Sequence, residues 1–192
     1  MTDMKTVLDF IKDNDINYVD LRFTDTRGKM QHVTQHVDTI DEDALTEGFM
    51  FDGSSIAGWK AINESDMTLM PDLSRFYIDP FFAQPTLALF CDVLDPATMQ
   101  PYERDPRSTA KAALAHMASA GIAETAYFGP EAEFFLFDDV KYELGANTGM
   151  YKVDSVEGPY NTGRDYEEGN MGHRPGVKGG YFPVPPVDSG QD

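Results

Sequence analysis

The sequence predicts an α+β fold, and three observations carry that prediction. Apolar residues recur at helical spacing in some stretches and alternate strictly in others. After a first helix, the order of signals is strand, strand, helix, strand, strand, which suits one small sheet with helices packed on it. A fresh helix signal at residue 105 then restarts the pattern, so the chain divides near residues 100–105.

The elements follow in order. Residues 3–13 place Met4, Val7, Leu8 and Ile11 on one helical face, with Thr2 or Asp3 as N-cap. "NYVDLRF" alternates Val19, Leu21 and Phe23, "DTRG" supplies a turn, and "KMQHVTQHV" returns as the second arm of a hairpin. "DEDALTEGF" reads as a short acidic helix, followed by the turn-rich stretch "FDGSSIAGW". "DMTLMPDL" and "TLALFCDVL" are two more strands, and Pro71 makes the first of them an edge strand or a bulged one. Asp105 is a suitable N-cap and Pro106 suits the first helical position. Ala110, Ala113, Leu114 and Met117 form that helix's apolar stripe, and Gly121 its C-terminal cap. "ETAYFG" and "AEFFLFDDV" read as a pair of strands, and residues 157–192 as a long Gly- and Pro-rich loop. The chain stops at "GYFPVPPVDSGQD" without a closing helix or strand and reads as truncated.

Composition narrows the function. With a net charge of −18 and 41% hydrophobic residues, the chain builds a core and repels phosphate-rich partners, so nucleic acid and anionic membranes are excluded. Most of that charge serves solubility, and some suits a hard cation. Cys91 is the one cysteine and lies in an apolar strand, which implies a buried thiol, no intrachain disulfide and no CxxC zinc site. No apolar run approaches the roughly 20 residues of a membrane span, and the N-terminus lacks a signal peptide's apolar stretch. Asn63-Glu64-Ser65 matches a glycosylation acceptor with nothing else to suggest secretion, so a cytoplasmic location is expected.

Three stretches could carry chemistry. In "GPEAEFFLF" a strand would put Glu131, Glu133, Phe135 and Phe137 on one face, with two residues spanning about 6.6 Å. Carboxylates so placed cannot sit bare in a core. Either the strand end is exposed or cations neutralise them, and a glycosidase-like acid/base pair also fits the spacing. "FMFDGSSIAGW" sets Asp52 beside Ser54 and Ser55, with Trp59 the single tryptophan. It reads as an ordinary Asp-capped turn, or as a flexible loop offering a carboxylate and a flat ring to a neighbour. "EGNMGHRPGVKGGYFPVPP" surrounds Arg174 and Lys178 with glycines and is either an anion-holding loop or a plain surface loop. The histidines are weak signals. His32 and His36 lie about 13 Å apart on a strand, too far for one metal. His116 is mid-helix, and His173 lies in the Gly-rich loop.

Taken together, "FDGSSIAGW", "GPEAEFFLFDDV" and "GHRPGVKGGYFPVPPVDS" resemble the N-terminal portion of bacterial type I glutamine synthetase, over nearly the whole chain. The resemblance implies a β-grasp-like N-terminal domain at residues 1–103 and the N-terminal part of an α+β catalytic domain at 104–192. It implies ATP-dependent ligation of ammonia to L-glutamate through γ-glutamyl phosphate, with two divalent cations, Mg2+ or Mn2+, per site. Glu131 and Glu133 would each ligate one cation. Asp52 would take a proton from ammonium, Ser55 and Tyr181 would help to line the ammonium pocket, and Trp59 would pack near the site as a cofactor-side residue. The site would form between neighbouring subunits of a dodecamer. Family members are more than twice as long, so the 192 residues alone are expected to be inactive. Two other readings stand beside this one: a γ-glutamyl-polyamine ligase of the same superfamily, and a non-catalytic truncated homologue that binds or regulates a full-length synthetase.

Overall fold

The computed structural model describes residues 4–155 together with Gly158, Tyr160, Phe182 and Val184. The chain forms two compact units, residues 1–127 and 128–192.

The first unit is built on a five-stranded sheet of order β2-β1-β5-β4-β3. Helix α1 (Met4–Asp13) buries Val7 and Ile11, as its apolar stripe requires. Strands β1 (Tyr18–Thr24) and β2 (Met30–His36) form the expected hairpin. Its turn is organised by Asp25, whose carboxylate accepts from the main-chain N–H groups of Arg27 and Lys29 at 2.9 and 3.0 Å. Helix α2 (Glu42–Glu47) starts at the Asp41 cap and leads through Gly48 into β3 (Phe49–Asp52). Gly48 has φ +84°, and a Cβ there would stand 2.8 Å from the Leu69 carbonyl oxygen, so only glycine fits this turn. Strands β4 (Asp66–Ile78) and β5 (Thr86–Leu94) complete the sheet, and β5 pairs parallel to β1.

Strand β3 is an addition to the sequence reading. Only four residues long, it forms because Phe49–Asp52 pairs with Asp66–Leu69 of β4. That pairing ends at Leu69, so at Pro71 strand β4 has a neighbour on one side only. The β4–β5 register also slips between Pro71 and Phe76. Pro71 thus marks both a local edge and a bulge, where its missing N–H is tolerated.

One face of the sheet is apolar. Val19, Leu21, Phe23, Leu87, Leu89, Cys91, Val93, Met67 and Leu69 form its core, with Cys91 1% exposed. The same burial pushes the Cys91 thiol far up, so it stays protonated.

On the opposite face Asp20 is a carboxylate only 1% exposed. It accepts from Arg22 Nε at 2.7 Å and from Thr34 Oγ1 at 2.8 Å, and lies 2.5 Å from His32 Nδ1. Arg22 also donates to Asp79 and to the Tyr77 hydroxyl. Burial pushes the Asp20 carboxyl up, but the bonds from Arg22, His32 and Thr34 outweigh it and hold it below the ordinary value. A carboxyl lowered on folding stabilises fully above its unfolded value, about 3.9, and loses that contribution as pH falls through the folded value. Thermal unfolding followed between about pH 6 and pH 3 should therefore show a midpoint that drops with acid. Asp20→Asn should flatten the drop, and an unchanged slope would remove Asp20 from the account.

Helix α3 (Pro106–Ser119) begins as expected, with Asp105 as N-cap and Pro106 in the first turn. It ends with Gly121 at φ +65°. The Ile122 N–H donates to the Met117 carbonyl and the Gly121 N–H to that of Ala118, both at 3.1 Å, which is a Schellman closure. Its apolar stripe stays uncovered among the described residues: none of its residues is buried, and Leu114 is 46% exposed. The helix is tied to the sheet by charge instead. Arg107 pairs with Asp72 on β4 and Asp92 on β5, and Lys111 with Asp92.

In the second unit, β6 (Asp139–Leu144) and β7 (Gly149–Asp154) form a hairpin that the sequence reading did not contain. The expected strands at residues 124–129 and 132–140 are a second correction. Residues 125–137 carry no strand, and Phe134 and Phe135 are 79% and 74% exposed. A strand exists only against a neighbour that takes its N–H and C=O groups. Among the described residues none pairs with this segment.

Candidate functional site

Asp52 is the last residue of β3, and its position follows from the ladder, where it stands opposite Asp66. The chain then winds through a 3-10 turn, Gly53–Ser55. Gly53 is needed here for close approach, since a Cβ would lie 2.5 Å from Met67 Cγ. Its N–H donates to the Ser65 carbonyl at 2.7 Å. The Asp52 carboxylate caps the turn, accepting from the Ser54 N–H at 2.8 Å and the Ser54 hydroxyl at 2.6 Å. The Ser54 hydroxyl, the Ser54 N–H and the Ser55 hydroxyl hold the Asp52 carboxyl below its ordinary range. It is an exposed group, ionised throughout the neutral range, and can face a cation from solvent.

Trp59 closes the same loop from inside. The expectation that this loop offers a flat ring to a neighbour is corrected, because the indole is 5% exposed. It packs among Phe23, Phe51 and Tyr102, with ring centroids 5.6, 6.3 and 5.4 Å away. Its Nε1–H donates to Thr26 Oγ1 at 2.8 Å. A tryptophan buries more apolar area than any other side chain and still needs a partner for its N–H, which this arrangement supplies. Sequence reasoning missed Thr26, Tyr102 and Arg104 around this loop, because they lie 33 to 46 residues from their partners and no local spacing links them.

Glu131 and Glu133 belong to the second unit, in the exposed segment before β6. No hydrogen bond or ion pair among the described residues occupies either carboxylate. Phe135 and Phe137 stack with centroids 6.0 Å apart and an interplanar angle of 7°, as i and i+2 residues of an extended chain do. Hard carboxylate oxygens suit Mg2+ or Mn2+ in donor type. They do not complete a site, because among the described residues no group of three or more His, Cys, Asp and Glu side chains could hold a metal ion. Further ligands would have to come from elsewhere. Tyr181 and the Gly-rich stretch around His173, Arg174 and Lys178 lie outside the described residues.

His32 faces Asp20 and His36 stacks edge-on against Tyr18, so neither points to a metal. His116 is exposed on α3.

Comparison with known proteins supplies what geometry leaves open. Residues 15–96 match the model of the glutamine synthetase beta-Grasp domain, and residues 103–192 that of the glutamine synthetase catalytic domain. A glutamine synthetase of Azospirillum brasilense is 66% identical over 192 residues, covering 100% of this chain and 41% of the relative. One from Methylococcus capsulatus is 66% identical over 188 residues, covering 98% of this chain and 40% of the relative. The chain thus spans about two fifths of the length of the curated relatives it matches. In the solved structures, a cryo-EM structure of Plasmodium falciparum glutamine synthetase superposes with a TM-score of 0.72 at 24% identity, covering 100% of this chain and 38% of that one. At that identity the likeness speaks for the fold. No helix among the described residues is long and apolar enough to cross a membrane.

Proposed function

The chain belongs to the glutamine synthetase family, and from that premise we propose that it forms the ammonium-side and part of the metal-side machinery of an ATP-dependent glutamate–ammonia ligase. The observation that carries this reading is the Asp52 loop: an exposed carboxylate held by its own turn, ionised at neutral pH, at the end of strand β3.

In this reaction a phosphoryl group passes from ATP to the γ-carboxylate of L-glutamate, giving γ-glutamyl phosphate and ADP. Asp52 attracts ammonium by charge and accepts one of its protons. The freed nitrogen lone pair attacks the γ-carbonyl carbon, the C–O bond to phosphate breaks, the nitrogen gives up a second proton to the departing phosphate, and glutamine and hydrogen phosphate result. Ser55 lies beside Asp52 in the same turn and lines the ammonium side, with Tyr181 as its companion. Glu131 and Glu133 would each hold one divalent cation, Mg2+ or Mn2+. Such cations, when bound, neutralise charge on the phosphoryl oxygens. The buried indole of Trp59 serves the site through the loop it anchors rather than by touching the nucleotide.

The family-model spans, 15–96 and 103–192, support a division close to the proposed 103/104, and the ion pairs of α3 tie it to the sheet of the first unit. Cytoplasmic location, ATP as co-substrate and a dodecamer of identical subunits sharing their active sites belong to the same proposal.

The 192 residues are expected to make no glutamine alone. Grafted in place of the matching segment of the Azospirillum brasilense relative, they should support ammonium-, glutamate-, ATP- and Mg2+-dependent phosphate release with glutamine formation. Turnover with a polyamine but not with ammonium would replace the reading by a γ-glutamyl-amine ligase. A graft that assembles but turns over neither would leave only a binding or regulatory role.

A further inference from the structure

We infer that Tyr102 is a positioning residue for the Asp52 carboxylate, acting through the main-chain carbonyl of Trp59. The inference rests on Asp52 being the proton acceptor for ammonium and adds what holds it in place.

The link runs through hydrogen bonds as far as Gly53. The Tyr102 hydroxyl donates to the Trp59 carbonyl at 2.9 Å, in a buried position. The Trp59 N–H donates to the Ile56 carbonyl at 3.1 Å, and the Ile56 N–H to the Gly53 carbonyl at 3.2 Å. Gly53 follows Asp52 directly, and its own N–H is bound to Ser65. The loop from Asp52 to Trp59 is therefore a chain of short turns whose far end is tied down.

That far end is tied on three sides. Thr26 accepts from the indole, Arg104 donates to the carbonyls of Gly58 and Trp59, and Tyr102 supplies both its hydroxyl and a ring at 5.4 Å. Tyr102 itself is 7% exposed, and its N–H donates to the Val93 carbonyl of β5 at 2.9 Å. The anchor is thus tied to the sheet, whereas the Asp52 carboxylate is exposed and accepts only from its own turn. Rigid supports of this kind matter because misplacing a reacting group by about 1 Å can cost about a hundredfold in rate.

Tyr102→Phe removes the hydroxyl and keeps the ring. The measurement uses the grafted full-length protein and compares ammonium with hydroxylamine as nucleophile. Hydroxylamine is uncharged at neutral pH and needs no proton removed before it attacks, so the ratio of the two rates isolates the task of Asp52. Asp52→Asn is run beside it. The ratio should fall about a hundredfold or more in Asp52→Asn and about tenfold in Tyr102→Phe. Thr26→Val, which loosens the same anchor from the indole side, is the second variant should Tyr102→Phe fail to fold, with the same shift expected.

If Asp52→Asn lowers the ratio and the anchor variants do not, the inference is overturned while the role of Asp52 stands, even where their overall rate drops. If Asp52→Asn leaves the ratio unchanged, the reading of Asp52 fails, and the positioning role fails with it.

Discussion

Replacing Glu131 or Glu133 by glutamine in the grafted full-length protein should reduce glutamine synthesis on the order of a thousandfold. Both carboxylates are exposed and have no partner among the described residues, so both are open to a cation. A cation held by one of them would offset charge on the transferring phosphoryl group, a contribution of about 4 kcal/mol, and about 1.4 kcal/mol corresponds to each factor of ten. The two variants should also need more Mg2+ for half-maximal rate, because each removes one anionic donor and leaves a neutral one. Their folding should be unchanged, since neither side chain is part of the core. Rates within about twofold of the parent at limiting Mg2+ would sink the metal assignment.

The second large effect concerns stability. Asp105→Ala should destabilise the first unit by about 2–4 kcal/mol. Asp105 is 0% exposed and its carboxylate accepts four hydrogen bonds. Three come from the first turn of α3, namely the N–H groups of Arg107 and Ser108 and the Ser108 hydroxyl at 2.6 Å. The fourth comes from the Val93 N–H of β5 at 3.3 Å. Losing the cap alone costs about 1 kcal/mol, and stranding the buried Val93 N–H adds about 1–3 kcal/mol. Because this carboxylate stitches the start of α3 to the sheet, Asp105→Asn, which still accepts, should recover part of the loss. Urea denaturation of the two variants measures the difference, and equal midpoints for alanine and parent would refute the stitch.

Much of the fold was legible because its signals are local. The stripe of α1, the alternation of Val19, Leu21 and Phe23, and the Asp105–Pro106 start and Gly121 stop of α3 each depend on residues within a few positions of one another. The motif-level resemblance was legible for a different reason, since long stretches around Asp52 and Glu131 match a known family in order.

What the sequence by itself determined is therefore the α+β class, the core face of the sheet, the caps and the identity of the candidate ligands. Tertiary structure alone decided the rest. Phe49–Asp52 becomes a strand because β4 presents a matching edge, whereas residues 125–137, rich in Phe, meet no such edge among the described residues. Asp20 is buried, against the ordinary behaviour of acids, because His32 and Thr34 of the neighbouring strand help to satisfy it, and Asp105 because the Val93 N–H of β5 adds to its helix cap. Trp59 turns inward because Thr26 and Tyr102 meet it there. In each case the deciding contact joins residues far apart in the chain, and its free energy exists only once the backbone has brought them together.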